Sequence, residues 1–199
     1  MACILRIVAG KYGGRFIKAP EGVLTRPTAQ VAREALFNML APRIAGVLFV
    51  DLFAGSGAIG IEALSRGAGG VIFVDKSRAC CALIRENLRL VGAGGQEALV
   101  LDLDIKRDNF MRALREGMKH LEKNEAGVVF ADPPYNFEGV DRFPLLISET
   151  AICAAGAFII IEHSKKISMP QHAGIYAMFR NKKYGDSCVS FYSSGQVDI

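Results

Sequence analysis

From residue 46 onward, short apolar runs alternate with amphipathic segments along the chain. Five nearly continuous apolar runs predict strands, in the sequences GVLFVDL, GVIFVD, EALVLDL, GVVFAD and GAFIIIE. Runs of this kind suit parallel strands that are covered on both faces. The segments between them, such as AIGIEALSRG and SRACCALIRENLRLVG, have the spacing of helices. The alternation predicts an α/β fold with an open, doubly wound sheet and right-handed crossovers.

The two ends of the chain depart from this alternation. ILRIVAG-KYGG-RFIKAP predicts a hairpin of two short strands, TRPT breaks it, and AQVAREALFNML has helical spacing. After Lys165 the helical pattern stops, and GIYAMFRNKKYG-DS-CVSFYSS predicts a final antiparallel hairpin. We therefore expect a hairpin-and-helix extension over residues 1–45 and a Rossmann-like domain over residues 46–199.

Positive charge is concentrated in the extension. Residues 1–46 hold seven Lys or Arg and two acids, which gives +5, so the net charge of +4 for the whole chain leaves −1 for the rest. A basic segment on a near-neutral domain indicates a polyanionic partner, although basic runs also occur on solvated faces. We predict that the phosphates of a nucleic acid are contacted by Arg6, Lys11, Arg15, Lys18 and Arg26.

Composition argues against a membrane protein, a secreted protein and a metalloprotein. Every apolar run is far shorter than the about 20 residues that cross a bilayer, and the N-terminus lacks a signal-peptide pattern. The five cysteines form no CxxC pair, and the three histidines are not grouped with other ligands at metal-binding spacing. We expect a cytoplasmic protein with reduced thiols and no metal.

Acidic residues follow the predicted strands at the edge where such sheets bind ligands. They are Asp51, Asp75, Asp102 or Asp104, Asp132 and Glu162. After the first strand, Gly55, Gly57 and Gly60 match G-x-G-x-x-G, and Asp75 stands twenty residues past Gly55. The spacing predicts a cofactor with a ribose, held by Asp75. The other residues that we expect to contact the cofactor are Asp51, Phe53, Ala54, Gly55, Ser56, Gly57, Lys76 and Asp132.

Asp51 favours S-adenosylmethionine over a nicotinamide dinucleotide. A carboxylate just before the glycine turn would repel a pyrophosphate, whereas S-adenosylmethionine carries an ammonium and a sulfonium. Asp51 can then orient the amine, and Asp75 can accept both ribose hydroxyls. We expect Asp104 to contact the adenine amine, with Asp102 as the alternative. A nicotinamide-dependent oxidoreductase or a non-catalytic Rossmann module is the hypothesis from another class.

The fourth predicted strand ends in ADPPYNF. Proline cannot continue a central strand, so Pro133 and Pro134 predict a stiff loop at its end. Asp132 and the Pro133 carbonyl can accept the two N–H groups of an exocyclic amine, which turns the nitrogen lone pair towards the cofactor methyl group. Tyr135 offers a face for a flipped-out base. We predict that these four residues are catalytic; a strand-ending turn is the alternative.

Several stretches of the chain resemble one enzyme family. DPPY is similar to the [D/N/S]PP[Y/F/W] motif of amino-methyltransferases. LRIVAGKYGGRFIKAP, TRPTAQVAREALFNML, DLFAGSGAIGIEALSRGA, ADPPYNF and KKYGDSCVSFY resemble the RsmD-type 16S rRNA guanine-N2 methyltransferases. The resemblance implies a class I methyltransferase fold, with a mostly parallel seven-stranded sheet that ends in an antiparallel hairpin. It implies S-adenosylmethionine as cofactor, S-adenosylhomocysteine as product, and Thr28, Arg33 and Phe37 as residues that help close the cofactor pocket.

By the same resemblance, the substrate is a guanine of 16S rRNA in an assembling small-subunit particle. DNA or another RNA, methylated for example at adenine N6, is the alternative. A DNA enzyme usually carries a separate recognition domain, for which this chain has little room. A small basic extension contacts phosphates but few base edges, so we expect the shape of a folded particle to give specificity. We expect the enzyme to be a monomer.

Overall fold

The computed structural model describes residues 4–20, 27–105 and 110–195, with the backbone alone for residues 27–30. The strands are β1 (Ile4–Arg6), β2 (Phe16–Lys18), β3 (Leu48–Leu52), β4 (Gly70–Asp75), β5 (Ala98–Asp102), β6 (Ala126–Ala131), β7 (Cys153–Ser164), β8 (His172–Ala173), β9 (Tyr176–Tyr184) and β10 (Ser187–Ser193). The helices are α1 (Pro27–Leu40), α2 (Ala58–Ser65), α3 (Arg78–Leu90), α4 (Phe110–His120) and α5 (Phe143–Glu149), with a 3₁₀ turn at Val140–Arg142.

One mostly parallel sheet forms the centre of the molecule, in the order β5-β4-β3-β6-β7-β10-β9-β8. Strands β3 to β7 pair in parallel, and they correspond to the five apolar runs of the sequence. β10 lies antiparallel between β7 and β9, as the predicted final hairpin requires. The fold is that of a class I methyltransferase. The two-residue strand β8 adds an eighth strand at the edge.

The order of strands reverses between β3 and β6. From β3 the chain moves outward through β4 and β5, and it then returns to place β6 on the other side of β3. Leu52 pairs with Ala131 at the carboxyl ends of these two strands. A sheet of this kind opens a crevice at such a switch point, so the residues that follow β3 and β6 are brought together.

Hydrophobic residues cover both faces of the sheet. One face packs against α1, α2, α3 and the β1–β2 hairpin, and the other packs against α4 and α5. Along β3, Phe49 belongs to the first cluster, and Leu48 and Val50 belong to the second. This explains why the sequence of β3 is apolar at every position except Asp51.

The N-terminal extension packs directly on the sheet domain. Ile7, Tyr12 and Ile17 are buried in the same cluster as Phe49, so the two segments share one core. The hairpin turn is fixed to the last residue of α2. Ser65 accepts backbone N–H groups from Lys11 at its carbonyl (2.7 Å) and from Tyr12 at its hydroxyl (2.8 Å).

Gly10 allows this close approach of the hairpin to α2. Its φ is 82°, and a Cβ at this position would lie 1.8 Å from the carbonyl oxygen of Ser65. No side chain could be accommodated there without moving the turn. The glycine of the VAGK stretch is therefore explained by packing of the extension.

Candidate functional site

The candidate site lies at the carboxyl ends of β3, β4 and β6. The backbone N–H of Asp132 donates to the carbonyl of Leu52 at 3.4 Å, which links the end of β6 to the end of β3. The charges of Asp132 and Asp75 both act on the carboxyl of Asp51. The sheet therefore brings together three acids that are far apart in the sequence.

Asp51 holds the glycine loop onto the sheet. Its Oδ2 accepts the N–H of Gly60 in the first turn of α2 at 2.9 Å, and its side chain is buried. Burial is the main cause that raises the pKa of Asp51 to about 8; the charges of Asp132 and Asp75 contribute in the same direction, and the bond from Gly60 acts in the opposite direction. A cation beside Asp51 would favour the charged carboxylate.

The glycine loop has an unusual backbone. Phe53, Gly55 and Gly57 have φ values of 61°, 56° and 76°, and Phe53 is a rare non-glycine residue in this region. Gly57 precedes α2, and a Cβ there would lie 3.2 Å from Ile84. A strained non-glycine residue is often found at a functional site, and here it turns the chain beside Asp51.

Asp75 is bonded to the same loop. Its Oδ2 accepts the N–H of Gly55 at 2.9 Å, and its Oδ1 accepts the N–H of Ser77 at 2.8 Å. The cap of α3 is Ser77, whose Oγ accepts the N–H of Cys80, so Asp75 does not cap this helix. The carboxylate of Asp75 is half-buried and is held in a fixed position next to the glycine turn.

A recess of about 300 Å³ lies beside Asp75 at the ends of β4 and β5. It is lined by Lys76, Arg78, Asp102, Leu103 and Asp104. Asp102 pairs with Arg78 at 3.1 Å, and both side chains are exposed to solvent. Lys76 and both candidate acids for the adenine amine therefore line one recess, and the choice between Asp102 and Asp104 stays open.

The DPPY loop is packed against the glycine loop. The carbonyl of Pro134 accepts the N–H of Phe137 at 2.8 Å, which closes a turn. The ring of Phe137 lies 5.2 Å from that of Phe53 and 5.6 Å from that of Phe143. Because Phe53 belongs to the glycine loop, these aromatic contacts fix the two loops relative to each other.

Asp132 lies in an environment that disfavours its negative charge. The residue retains contact with solvent, and desolvation by its surroundings raises the pKa of its carboxyl; the charge of Glu162 raises it further. Glu162 follows Ile161, which pairs with Ala131, so Glu162 on β7 lies beside Asp132, which follows β6. Desolvation raises the pKa of Glu162 as well.

Tyr135 projects from the loop into solvent. Its side chain is 72% exposed, and its hydroxyl lies 3.4 Å from Ser164 Oγ at the end of β7. Pro133 is buried beneath the loop, whereas Pro134 is exposed. An exposed aromatic ring beside Asp132 is compatible with stacking on a base, and this role of Tyr135 stays a prediction.

Asn87 was missed by the sequence analysis. It is fully buried in α3, and its Nδ2 donates to the carbonyl of Ser56 (2.9 Å) and to that of Lys18 (2.8 Å). Its Oδ1 accepts the N–H of Lys18 at 2.8 Å. One side chain thus joins the glycine loop to the end of β2. A polar residue within the apolar face of a predicted helix was the only signal of it in the sequence.

Three residues of TRPTAQVAREALFNML are implied by resemblance to close the cofactor pocket. Arg33 is buried and donates from Nη2 to the carbonyl of Arg6 at 2.7 Å; desolvation lowers its pKa. Phe37 is fully buried and stacks on Phe49, so a contact with the cofactor would require its ring to leave the core. The side chain of Thr28 lies outside the described residues. The role of these residues stays a prediction.

Three of the predicted phosphate-binding cations bond to the sheet domain in this structure. Lys11 pairs with Glu97 at 3.4 Å, and Lys18 pairs with Glu86 at 2.6 Å. The Nη1 of Arg15 donates to the carbonyl of Val91. Exposed ion pairs contribute only about 0–1 kcal/mol, so a phosphate can replace these partners. Arg26 lies outside the described residues.

Comparison with known proteins assigns the chain to a family. The family described as "Conserved hypothetical protein 95" matches residues 5–193. The chain belongs to this family. It is 35% identical to "Putative rRNA methyltransferase YlbH" of Bacillus subtilis, over 94% of this chain and 98% of the relative. It is 31% identical to "Ribosomal RNA small subunit methyltransferase D" of Escherichia coli, over 94% and 89%.

A solved structure supports the same assignment. "Putative methyltransferase yhhF from Escherichia coli" is 30% identical and superimposes with a TM-score of 0.79, over 96% of this chain and 98% of the other. The RsmD family and the class I methyltransferase fold predicted from the sequence are therefore confirmed.

Two further properties concern only the part of the chain that the structure describes. In residues 4–20, 27–105 and 110–195, no group of three or more His, Cys, Asp or Glu is arranged to hold a metal ion. Within the same residues, no helix combines the length and the apolar character needed to cross a membrane.

Proposed function

We propose that this protein transfers a methyl group from S-adenosylmethionine to the N2 amine of a guanine in 16S rRNA, on an assembling small-subunit particle in the cytoplasm. The observation that carries the proposal is the packing of the DPPY loop against the glycine loop at the switch point, through Phe53 and Phe137. Relatives at 35% and 31% identity bear the names of rRNA methyltransferases, which supports rRNA as the substrate.

The residues of the glycine loop fit S-adenosylmethionine better than a nicotinamide dinucleotide. The charged form of Asp51 is disfavoured by burial, so a bound ammonium or sulfonium would stabilise it and a pyrophosphate would destabilise it further. Asp75 is fixed by Gly55 and can accept ribose hydroxyls. The cofactor, when bound, supplies an electrophilic methyl group. Residues of the chain position the target amine and stabilise the charge that develops on it.

Asp132 positions the amine of the target base. An exocyclic amine is a poor nucleophile because its lone pair is delocalised into the ring. Asp132 accepts one N–H and the Pro133 carbonyl accepts the other, which turns the lone pair out of the ring plane. As the N–C bond forms and the C–S bond breaks, the nitrogen becomes cationic and then loses a proton to Asp132 or to water. Stabilisation of this developing charge by a fixed carboxylate is the main contribution to rate.

The proximity of Glu162 to Asp132 favours guanine over adenine. The Watson–Crick edge of guanine presents the N1–H and N2–H donors side by side, whereas adenine presents the acceptor N1 beside its amine. Two neighbouring carboxylates are complementary to a row of donors and would repel the adenine N1 lone pair. We propose that a single chain performs the reaction as a monomer.

The test is methyl transfer to unmodified rRNA. Small-subunit particles are purified from a bacterial strain that lacks its own enzyme of this family, incubated with the protein and labelled S-adenosylmethionine, and digested to nucleosides for mass spectrometry. We expect labelled N2-methylguanosine and stabilisation of the protein by S-adenosylhomocysteine in a thermal-shift assay.

Two control substrates separate the alternatives. Naked duplex DNA and protein-free 16S rRNA are treated in parallel with the particles, and NAD is added in the thermal-shift assay. Methyladenine as the product, or efficient methylation of DNA, would refute the guanine assignment. Stabilisation by NAD without stabilisation by S-adenosylhomocysteine would refute the methyltransferase assignment itself.

A further inference from the structure

The outward face of the β1–β2 hairpin carries two apolar and two basic side chains. Arg6 lies opposite Phe16, and Ile4 lies opposite Lys18, whereas Ile17, between Phe16 and Lys18, is buried in the core. Ile4 and Phe16 are both 57% exposed. We call Ile4, Arg6, Phe16 and Lys18 the hairpin array. Single exposed apolar residues are ordinary, but here two of them alternate with cations on one small sheet face.

The hairpin has a defined direction relative to the candidate site. The backbone of Lys18 is bonded to Asn87, which also holds the carbonyl of Ser56 in the glycine loop. The turn at the other end of the hairpin is bonded to Ser65, the last residue of α2. Because α2 begins at the carboxyl end of the sheet, its last residue and the hairpin turn lie towards the amino end. Lys18, at the other end of the hairpin, therefore lies towards the carboxyl end, which carries the site.

The other cations of the hairpin lie towards the opposite end. Lys11 pairs with Glu97, which precedes β5, and Arg15 is bonded to the carbonyl of Val91, which follows α3. Both partners belong to the amino-terminal edge of the sheet. A nucleic acid that enters the switch point would therefore meet Lys18 before it met Lys11 or Arg15.

We propose that the hairpin array binds an unpaired nucleotide of the rRNA substrate next to the target base, with the ring of Phe16 stacked on its base and Arg6 and Lys18 against its phosphates. The proposal rests on the function proposed above. Aromatic rings flanked by cations are the recurring means of binding single-stranded nucleic acid, because every base offers a π-face and every linkage a negative charge.

Two features favour RNA over a protein partner on this face. The charges of Arg6 and Lys18 are complementary to phosphates, and they lie directly beside the exposed apolar side chains. Lys18 is paired with Glu86, but both side chains of this pair are more than 40% exposed, and a phosphate can take the place of the carboxylate. A dry protein interface would bury the two cations without a partner, at a cost that RNA avoids.

The test measures RNA binding and methylation by substitutions at Phe16. Phe16→Tyr keeps a ring, Phe16→Leu keeps an apolar side chain without a ring, and Phe16→Ala keeps neither. Ile175→Ala is the matched control, since Ile175 is 75% exposed but lies at the β8–β9 turn on the other edge of the sheet. Binding is measured by filter retention with protein-free 16S rRNA and with unmodified particles, over a range of salt.

We expect Phe16→Ala and Phe16→Leu to weaken binding of both substrates about tenfold, which corresponds to about 1.4 kcal/mol. Phe16→Tyr and Ile175→Ala should bind like the wild type. The salt dependence should be unchanged by Phe16→Ala and reduced by Arg6→Gln, since of these two residues only Arg6 contacts a phosphate. Affinity for S-adenosylhomocysteine should stay the same in all five variants.

Normal binding by Phe16→Ala would overturn the proposal. Weakening on particles alone, with protein-free rRNA bound normally, would assign the face to a ribosomal protein instead and would also overturn it, as would normal binding by Phe16→Leu. The wild type separates this inference from the proposed function. If the wild type methylates guanine while Phe16→Ala binds normally, only the hairpin proposal fails; if the wild type methylates no rRNA, the proposed function fails.

Discussion

Asp51 and Asp132 are two carboxyls whose pKa values are both raised but whose predicted roles differ. Asp51 is buried and bonded to the first turn of α2, and Asp132 follows β6 and is exposed to solvent. Both are destabilised as anions by desolvation, and a bound cation or a developing positive charge would relieve this. The site is therefore suited to chemistry in which positive charge passes from a cofactor to a substrate amine.

Replacement of Asp132 by Asn should reduce the rate and spare cofactor binding. Asn keeps the size and one acceptor oxygen but loses the charge that stabilises the amine in the transition state. We expect single-turnover methyl transfer to fall about 10²–10³-fold. Affinity for S-adenosylmethionine should change less than about threefold, or about 0.65 kcal/mol. Quench-flow transfer and calorimetric titration of the same protein measure the two effects.

The pH dependence gives an independent check on Asp132. Its pKa is raised in the folded protein, so the carboxylate is protonated at lower pH and becomes charged as the pH rises through this pKa. The wild-type rate should rise with pH over that range, and Asp132→Asn should lose the rise. A transfer rate in Asp132→Asn equal to that of the wild type would leave DPPY as a turn that only ends a strand.

Replacement of Asp51 by Asn should stabilise the protein and weaken the cofactor. The folded-state pKa of Asp51 is about 8, above its ordinary value of 3.8, so the native state binds more protons and stability falls as the pH rises between these values. Asn can still accept the Gly60 N–H but carries no charge. At pH 8 we expect a Tm at least about 2 °C higher without ligand, roughly 1 kcal/mol.

The same substitution should lower affinity for S-adenosylhomocysteine at least about tenfold, since the ammonium loses a carboxylate. Asp141→Asn, on the exposed 3₁₀ turn, is the control and should change neither Tm nor affinity. A lower Tm for Asp51→Asn would show that the charge of Asp51 stabilises the fold. Unchanged affinity would show that its charge does not contribute to cofactor binding.

At the scale of elements, the strands and the loops at their ends could be predicted from the sequence, but the contacts between loops could not. The runs of β3 to β7 are apolar because both sheet faces are covered, and DPPY stops β6 because proline has no N–H. Asn87 bonds to residues 31 and 69 positions away, and Phe137 meets Phe53 across the switch point. Such partners are set by the order of strands, which no local pattern specifies.

Asn87→Leu tests the link between α3, β2 and the glycine loop. Leucine fills a similar volume but leaves the carbonyl of Ser56 and both backbone groups of Lys18 without their bonds. A buried unsatisfied group costs about 1–3 kcal/mol, so we expect a loss of about 3 kcal/mol in the free energy of unfolding. Urea denaturation measures it, with the exposed Asn181→Leu on β9 as the control.

If Asn87 positions the glycine loop, Asn87→Leu should weaken cofactor binding in addition to lowering the stability of the fold. We expect S-adenosylhomocysteine affinity to fall about tenfold at a temperature where the variant is fully folded, and Asn87→Gln to restore little of it because the longer side chain displaces the amide. Destabilisation with unchanged cofactor affinity would limit Asn87 to anchoring the hairpin.

At the scale of the whole molecule, the distribution of charge and the docking of the hairpin place some cations closer to the candidate site than others. The extension carries the positive excess of the chain, and its hairpin runs along α2 and α3 from the amino edge of the sheet to the glycine loop. The sequence predicts the excess of positive charge but not which cations lie near the site. That is decided by the docking of Gly10 on Ser65 and of Lys18 on Asn87. Cations of one hairpin are therefore expected to differ in their contribution to binding.

A pair of double substitutions tests this direction. Arg6→Gln with Lys18→Gln removes the two cations of the hairpin array, and Lys11→Gln with Arg15→Gln removes two cations of the segment that connects β1 and β2, so the net charge of the two variants is identical. We expect the first to weaken binding of unmodified particles and to lower the slope of log affinity against log salt by about 1.4, the value for two phosphates of a single strand.

The second double variant should lower this slope by no more than half as much as the first does. The two variants should bind the cofactor with equal affinity. Because the two proteins carry the same net charge, a purely long-range attraction would weaken them equally. Equal slopes for the two variants would mean that the extension acts as a diffuse positive surface. A steeper loss for the variant lacking Lys11 and Arg15 would mean that RNA runs along the opposite edge of the sheet, away from Asp132.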